Sequence, residues 1–76
     1  MITSFDIIKL GTKISQELKS LRIDKECVMS ISIGNDNLHK LDEDFYYRNF
    51  PDGKDYVPTD GELDIKFDNL KITIKE

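Results

Sequence analysis

Residues 62–75 read ELDIKFDNLKITIK, and this stretch decides the fold because it predicts a β-hairpin. Apolar residues alternate with polar residues on both sides of Asp68 and Asn69, which is the period of a strand with one buried face. A two-residue turn at Asp68 and Asn69 places six apolar residues on one face of the hairpin: Leu63, Ile65, Phe67, Leu70, Ile72 and Ile74. The opposite face carries mainly charged residues, so we expect it to face water.

The N-terminal residues predict an amphipathic helix. Thr3 fits the N-cap position, and Asp6 follows at the spacing of a capping box. Five apolar residues then recur at helical spacing and form one narrow stripe that must be covered: Ile7, Leu10, Ile14, Leu18 and Leu21. Gly11 lies beside this stripe, where it is either simply tolerated or allows a strand to approach the helix closely. We favour the close approach.

A third strand is predicted for residues 27–33. Apolar residues there occupy every second position, which is the pattern of a strand with one buried face: Cys27, Met29, Ile31 and Ile33. The sequence Gly34-Asn35-Asp36-Asn37 follows and predicts a turn, because all four residues are common in turns.

Residues 38–50 allow two interpretations. Three apolar residues have helical spacing: Leu38, Leu41 and Phe45. Asp42 would then be the N-cap of a short helix that ends before Pro51. In the alternative, four residues lie on one side of a strand: His39, Leu41, Phe45 and Tyr47. We favour the short helix, followed by a loop over residues 51–61 whose length is typical of functional loops.

Together these elements predict a single α+β domain over residues 1–76. One N-terminal helix packs on a small, mostly antiparallel sheet of three to four strands, and the sheet ends in the C-terminal β-hairpin. A four-stranded meander under one helix is the alternative arrangement. The chain contains no internal repeat and no linker that would separate two domains.

Charge is unevenly distributed along the chain. The 76 residues carry a net charge of −4, whereas residues 42–64 alone contain eight acidic and two basic side chains, a net charge of −6. A surface that binds nucleic acid has the opposite sign, so direct binding to DNA or RNA is disfavoured. The segment instead favours a protein partner with a basic surface.

The residue types needed for catalysis or metal binding are scarce. Cys27 is the only cysteine and His39 the only histidine, so an internal disulfide and a Cys/His zinc site are excluded. We expect Cys27 to be a small buried hydrophobe and His39 a surface residue. The loop acids match no EF-hand register, although a loose carboxylate site for Mg²⁺ or Ca²⁺ within residues 52–64 is an open alternative. We predict no catalytic site, no metal and no cofactor.

A tyrosine-containing acidic surface is the candidate partner-binding site. Tyrosine and arginine are enriched among the residues that contribute most to protein interfaces. The predicted partner-binding residues are Asp42, Glu43, Asp44, Tyr46, Tyr47, Arg48, Asp52, Asp55, Tyr56 and Asp60. In the alternative interpretation, the acids only keep loops and turns solvated, and Tyr46 or Tyr47 fills the core.

These features predict a small acidic protein that is not an enzyme but a protein-binding modulator: an inhibitor, an immunity protein or an adaptor. Its basic residues are mostly Lys and it has no Ala or Trp, an A+T-rich bias that suits a phage or mobile element. The alternative is a self-associating structural or assembly protein, which dimerises through Phe5 and Ile8 or through an open sheet edge. The chain lacks a membrane-length apolar run and a signal-peptide pattern, so we expect a cytoplasmic protein without a membrane partner.

Overall fold

Two helices and three strands make up the described part of the chain. The computed structural model describes residues 2–53, 56 and 61–76. In chain order the elements are α1 (Ser4–Ser20), β1 (Cys27–Ser32), α2 (Asn35–Asn49), β2 (Glu62–Phe67) and β3 (Leu70–Lys75). The strand order in the sheet is β1-β3-β2, so β3 is the central strand, and both helices pack against it.

The predicted capping box starts α1. The Thr3 side chain accepts a hydrogen bond of 3.2 Å from the backbone N–H of Asp6, and the Asp6 carboxylate accepts one of 3.0 Å from the backbone N–H of Thr3. Two backbone N–H groups at the helix start thereby gain acceptors. Hydrogen bonding with Thr3 also lowers the pKa of Asp6. The helix continues to Ser20, and Arg22 then turns the chain with a φ of 58°.

The C-terminal hairpin has the predicted register. Its apolar cross-strand pairs are Phe67–Leu70, Ile65–Ile72 and Leu63–Ile74. On the other face, Asp64 lies opposite Thr73 and accepts a 2.8 Å hydrogen bond from the threonine hydroxyl. Thr73 is only 8% exposed, so the face that we expected to be wet is covered at its centre.

β1 is the predicted third strand, but its pairing changes the type of sheet. It runs parallel to β3, from Cys27 opposite Leu70 to Ser32 opposite Lys75, whereas β2 and β3 are antiparallel. The sheet is therefore mixed and not mostly antiparallel, and the described residues contribute no fourth strand. Because parallel neighbours cannot be joined by a tight turn, the chain passes through α2 and β2 between them.

α2 corrects the prediction for the middle of the chain. The segment is helical, as we favoured, but the helix starts at Asn35 with Gly34 at its N-cap, about two turns earlier than predicted. Residues 34–37 therefore begin a helix and do not form a separate turn, and Asp42 lies inside the helix, not at its N-cap. The pattern is ambiguous because Gly, Asn and Asp are common both in turns and at helix starts.

The core lies between the helices and one face of the sheet. Six apolar side chains are buried: Ile7, Leu38, Leu41, Leu70, Ile72 and Ile74. Gly11 is buried in α1, and the ring of Phe67 occupies the space that a Cβ atom at this position would need. A side chain of β2 thus makes the close approach that the glycine predicted.

Several side chains singled out from the sequence lie near the surface. Phe5 is 61% exposed and Ile8 is half-buried, both on α1. Cys27 is half-buried and not fully buried as predicted, because it begins an edge strand, while His39 is exposed. Neither α1 nor α2, the helices of the described ranges, is long and apolar enough to cross a bilayer.

Candidate functional site

Four aromatic rings pack together at the C-terminal end of α2. Tyr46, Tyr47 and Phe50 come from the end of the helix, and Tyr56 comes from the connection to β2. The centroid of the Tyr46 ring lies 5.0 Å from that of Tyr56, 5.1 Å from that of Phe50 and 5.6 Å from that of Tyr47. Aromatic pairs at such distances contribute about 0.5–1.5 kcal/mol each beyond the area that they bury. We call these four residues the aromatic cluster.

A hydrogen bond to α2 holds Tyr56 in place. Its hydroxyl donates a 2.8 Å hydrogen bond to Oδ2 of Asp42, a residue that is only 8% exposed. Burial and then this hydrogen bond raise the pKa of Tyr56 to about 12, so the hydroxyl remains protonated and available as a donor at neutral pH. Asp42, a predicted partner-binding residue, therefore acts as an internal acceptor for the connection that follows α2.

Gly53 forms part of a tight turn directly after α2. Its φ is +62°, in the left-handed region that glycine adopts without steric penalty. Its backbone N–H donates a 2.9 Å hydrogen bond to the carbonyl of Phe50, which closes a tight turn. A Cβ atom at Gly53 would overlap the ring of Tyr47, so the missing side chain is what lets the turn and the ring pack together.

Asp44 and Arg48 bind the N-terminus of α1. The backbone N–H of Ser4 donates a 2.5 Å hydrogen bond to Oδ2 of Asp44, and Nε of Arg48 donates a 3.0 Å hydrogen bond to the Ser4 hydroxyl oxygen. Hydrogen bonding by the Ser4 hydroxyl and then by its N–H lowers the pKa of Asp44. The Arg48 guanidinium also lies 5.8 Å from the centroid of the Phe5 ring, within cation–π range. Both predicted site residues thus connect the two helices.

An acidic and aromatic surface adjoins these internal contacts. Glu43, Asp44 and Asp52 are exposed, and the exposed fractions of Tyr47 and Phe50 are 40% and 55%. We call these five residues the acidic-aromatic surface. Glu43 and Tyr47 are four residues apart on α2 and Phe50 follows three residues later, so the three occupy one side of the helix.

A groove of about 270 Å³ opens on this surface. Its lining residues are Ile2, Thr3, Lys40, Glu43, Asp44 and Tyr47. Two carboxylates and a phenol ring at one opening are suited to a cationic side chain, which forms charge-assisted hydrogen bonds with the carboxylates and stacks on the ring. Lys40 moderates the negative charge at one wall. The groove can therefore receive a Lys or Arg side chain of another protein.

The eight predicted site residues that the structure describes fall into three groups. Asp42, Tyr46 and Tyr56 hold the connection after α2, and Asp44 and Arg48 hold the start of α1. Glu43, Tyr47 and Asp52 are exposed and belong to neither set of internal contacts, and Asp44 and Arg48 are exposed as well. Asp55 and Asp60 lie outside the described residues. That these residues bind a partner stays a prediction.

Phe50 belongs to the surface although it was not among the predicted site residues. The sequence feature that predicts its position is the helical spacing of Glu43, Tyr47 and Phe50. This spacing can be recognised only when the residues up to Asn49 are assigned to one helix.

The described ranges contain no group of three His, Cys, Asp or Glu side chains that could hold a metal ion. The expectation that the protein uses no metal, no cofactor and no catalytic residue stays a prediction.

Comparison of the chain with known proteins provides no functional assignment for this surface. No protein-family model, no curated protein and no solved structure matches the chain. The function is therefore argued from the surface itself.

Proposed function

We propose that the protein is a small, non-enzymatic, cytoplasmic protein-binding modulator of the inhibitor, immunity or adaptor type, encoded by a phage or mobile element. In this proposal the acidic-aromatic surface docks on a basic surface of another protein. The observation that carries the proposal is the exposure of the Tyr47 and Phe50 rings beside Glu43 and Asp52. Both rings are held in place by the aromatic cluster.

Rigid aromatic side chains make effective anchors for binding. Tyr47 packs edge-on against Tyr46, with an angle of 84° between the rings, and Phe50 packs against the same Tyr46 ring at a centroid distance of 5.1 Å. The entropy cost of ordering these rings therefore arises during folding, so less of it opposes binding. Residues of this kind supply most of the affinity in typical interfaces.

Charge determines which partners are attracted. Glu43 and Asp52 are exposed on a chain whose net charge is −4, so a basic protein surface approaches faster than a neutral one. An acidic protein or a nucleic-acid backbone is repelled. The charges therefore contribute mainly to the association rate and to partner choice, while the rings contribute mainly to affinity.

The internal contacts restrict which residues are suited to an experiment. Asp42, Asp44 and Arg48 each hydrogen-bond within the protein, so substitutions there would lower the stability of the fold as well as change the surface. Glu43 and Asp52 are the described acids of this surface that are exposed and take part in none of these three hydrogen bonds.

The test is charge reversal at these two acids. The partner is captured from a lysate of the source cell on immobilised wild-type protein, identified, purified and titrated by isothermal calorimetry at low and moderate salt. Glu43→Lys combined with Asp52→Lys should weaken binding by about tenfold or more, because two favourable charge contacts become repulsive. The loss should be smaller at moderate salt, since screening weakens both attraction and repulsion.

A matched control separates the local surface from net charge. Glu17→Lys combined with Asp24→Lys makes the same change in charge at two exposed positions, one on α1 and one in the connection to β1. Binding by this control should stay close to that of the wild type. Equal losses for the two double variants would reduce the effect to net charge and contradict docking through the acidic-aromatic surface.

A self-associating assembly protein is the second candidate, and the exposure of Phe5 favours it. Phe5 is 61% exposed and adjoins a groove of about 400 Å³ along α1. The groove is lined by Phe5, Ile8, Lys9, Thr12, Lys13 and Gln16. A homodimer through this face would bury Phe5, but it would also bring the lysines of two copies together, which opposes tight packing. We therefore rank it second.

A further inference from the structure

β1 is an edge strand of the sheet that the described residues form. β3 lies on one side of it, and no strand of residues 2–53 or 61–76 pairs with its other side. The backbone N–H groups of Cys27 and Ile33 donate to the carbonyls of Asn69 and Lys75, at 2.9 Å and 3.0 Å, so the odd-numbered residues face β3. Successive residues of a strand direct their N–H and C=O groups to opposite sides. The even-numbered residues therefore direct these groups away from the sheet: Val28, Ser30 and Ser32.

This edge lacks the features that normally protect an edge strand. Natural edges avoid further pairing by means of charged side chains, proline or bulges. Residues 27–33 read CVMSISI and contain neither a charged residue nor a proline. The other edge strand, β2, carries three exposed charged side chains: Glu62, Asp64 and Lys66.

The apolar side chains along this edge are incompletely covered. Four of them pack against the core but remain half-buried: Cys27, Met29, Ile31 and Ile33. Within the described part of the chain, α1 and α2 pack against β2 and β3, and neither packs closely along β1. A further strand beside β1 would place new side chains next to these four on the same face. The edge thus offers backbone hydrogen bonds and apolar contacts together.

We propose that β1 pairs with β1 of a second copy of this chain, antiparallel and around a twofold axis at Ser30. The two sheets then join into one continuous sheet of both copies. The facing pairs are Ser30–Ser30, Val28–Ser32, Met29–Ile31 and Cys27–Ile33. The outward N–H and C=O groups of the even-numbered residues exchange about six hydrogen bonds in this register, which leaves none of them unpaired.

A second copy is the occupant that suits this edge. A twofold axis places a strand opposite its own reversed sequence, so a charged strand meets its own charges. Because residues 27–33 are neutral, this register contains no like-charge pair, and it keeps Cys27, Met29, Ile31 and Ile33 of both copies on the same face. No residue of the acidic-aromatic surface belongs to β1, so the pairing is independent of the docking proposed above.

Sedimentation equilibrium of the purified protein, up to millimolar concentration, tests the pairing. Wild type should form dimers. Ser30→Asp and Ser30→Lys each place a charge opposite itself, so each should raise the dissociation constant of the dimer by about fivefold or more. A mixture of the two variants should dimerise again, because Asp then faces Lys. Ser30 is exposed and its N–H does not bond to β3, so circular dichroism should show an unchanged fold.

Phe5→Asp is the matched control, since it makes the same charge change as Ser30→Asp on the exposed face of α1. It should leave the β1 dimer intact. A monomeric wild type at millimolar concentration would overturn the pairing. Dimers that survive Ser30→Asp but not Phe5→Asp would assign self-association to α1 instead. Failure of the Asp and Lys variants to dimerise when mixed would contradict the register at Ser30.

Discussion

Gly11 illustrates how a residue without a side chain positions a helix on a sheet. It is buried within α1, and the Phe67 ring of β2 fills the space beside it. A glycine inside a helix costs about 1 kcal/mol relative to alanine, so its presence needs a compensating contact. Packing of a large ring against bare helix backbone provides that contact, because the ring is then half-buried and not exposed.

We expect Gly11→Ala to lower the free energy of unfolding by about 1–2 kcal/mol. Alanine gains about 1 kcal/mol in helix propensity over glycine, whereas overpacking costs about 1–3 kcal/mol. Because the new Cβ atom would overlap atoms of the Phe67 ring, we expect the overpacking cost to lie at the upper end of this range. In a chain of this size the melting temperature should fall by about 4–8 °C per kcal/mol. Thermal unfolding followed by circular dichroism measures the change.

Phe67→Leu provides the control for this explanation. In that background the ring is absent, so Gly11→Ala should lose most of its penalty and become neutral or stabilising. If Gly11→Ala raises the melting temperature while Phe67 is present, the ring does not limit the approach of the helix. If Gly11→Ala lowers the melting temperature by the same amount in both backgrounds, a contact other than that with the Phe67 ring causes the effect.

At the scale of elements, α2 stabilises the start of α1. Asp44 and Arg48 lie four residues apart on α2 and both reach Ser4, the first residue of α1. The carboxylate of Asp44 accepts a hydrogen bond at a helix N-terminus, where the macrodipole favours negative charge. The contacts of Asp44 and Arg48 and the capping box of Thr3 and Asp6 together hold the first turn of α1 in place.

Asp44→Asn should lower the stability at neutral pH and reduce its loss in acid. Hydrogen bonding by Ser4 holds the folded-state pKa of Asp44 below the ordinary value of 3.8. A depressed folded-state pKa means that the carboxylate stabilises the fold above about pH 4, and that this contribution is lost as the pH falls through the folded value. Melting temperatures at a series of pH values between about 2 and 7 should therefore fall less steeply for Asp44→Asn.

Asp24→Asn is the control for the loss of one carboxylate, because Asp24 is exposed in the connection between α1 and β1. The fall of its melting temperature in acid should resemble that of the wild type. Part of the acid sensitivity should persist in Asp44→Asn, since the pKa of Asp6 is also lowered by hydrogen bonding with Thr3. If the melting temperature of Asp44→Asn falls in acid as steeply as that of the wild type, the contact with Ser4 does not contribute to stability in solution.

Elements whose determinants lie close together in the sequence could be predicted. The capping box needs only Thr3 and Asp6, and the hairpin register follows from a two-residue turn and alternation on either side. The start of α2 could not be predicted, because Gly34 and its neighbours suit a turn and a helix start equally. There the packing of Leu38 and Leu41 in the core decides for the helix.

At the scale of the whole molecule, the sequence left the place of β1 and the roles of the acids undetermined. Parallel pairing of β1 with β3 joins segments separated by α2 and β2, and no local pattern encodes it. The hydrogen bond between Tyr56 and Asp42 likewise joins residues that lie 14 positions apart in the chain. Composition predicted an acidic, tyrosine-containing surface, but only contacts separate Asp42, which is internal, from Glu43, which is exposed.

Hydrogen exchange should rank the strands by their position in the sheet. β3 pairs on both sides and contributes three buried core residues, so its amides should exchange only through global unfolding. The amides of Val28, Ser30 and Ser32 face away from β3 and should exchange faster than those of β3 at low concentration. Their protection should rise with concentration as β1 pairs with a second copy. The free energy of opening measured from the slowest β3 amides should equal the free energy of unfolding measured with denaturant. If β3 amides instead exchange faster than those of α1, the sheet opens while the helices stay folded. That result would contradict a core that the helices and the sheet share.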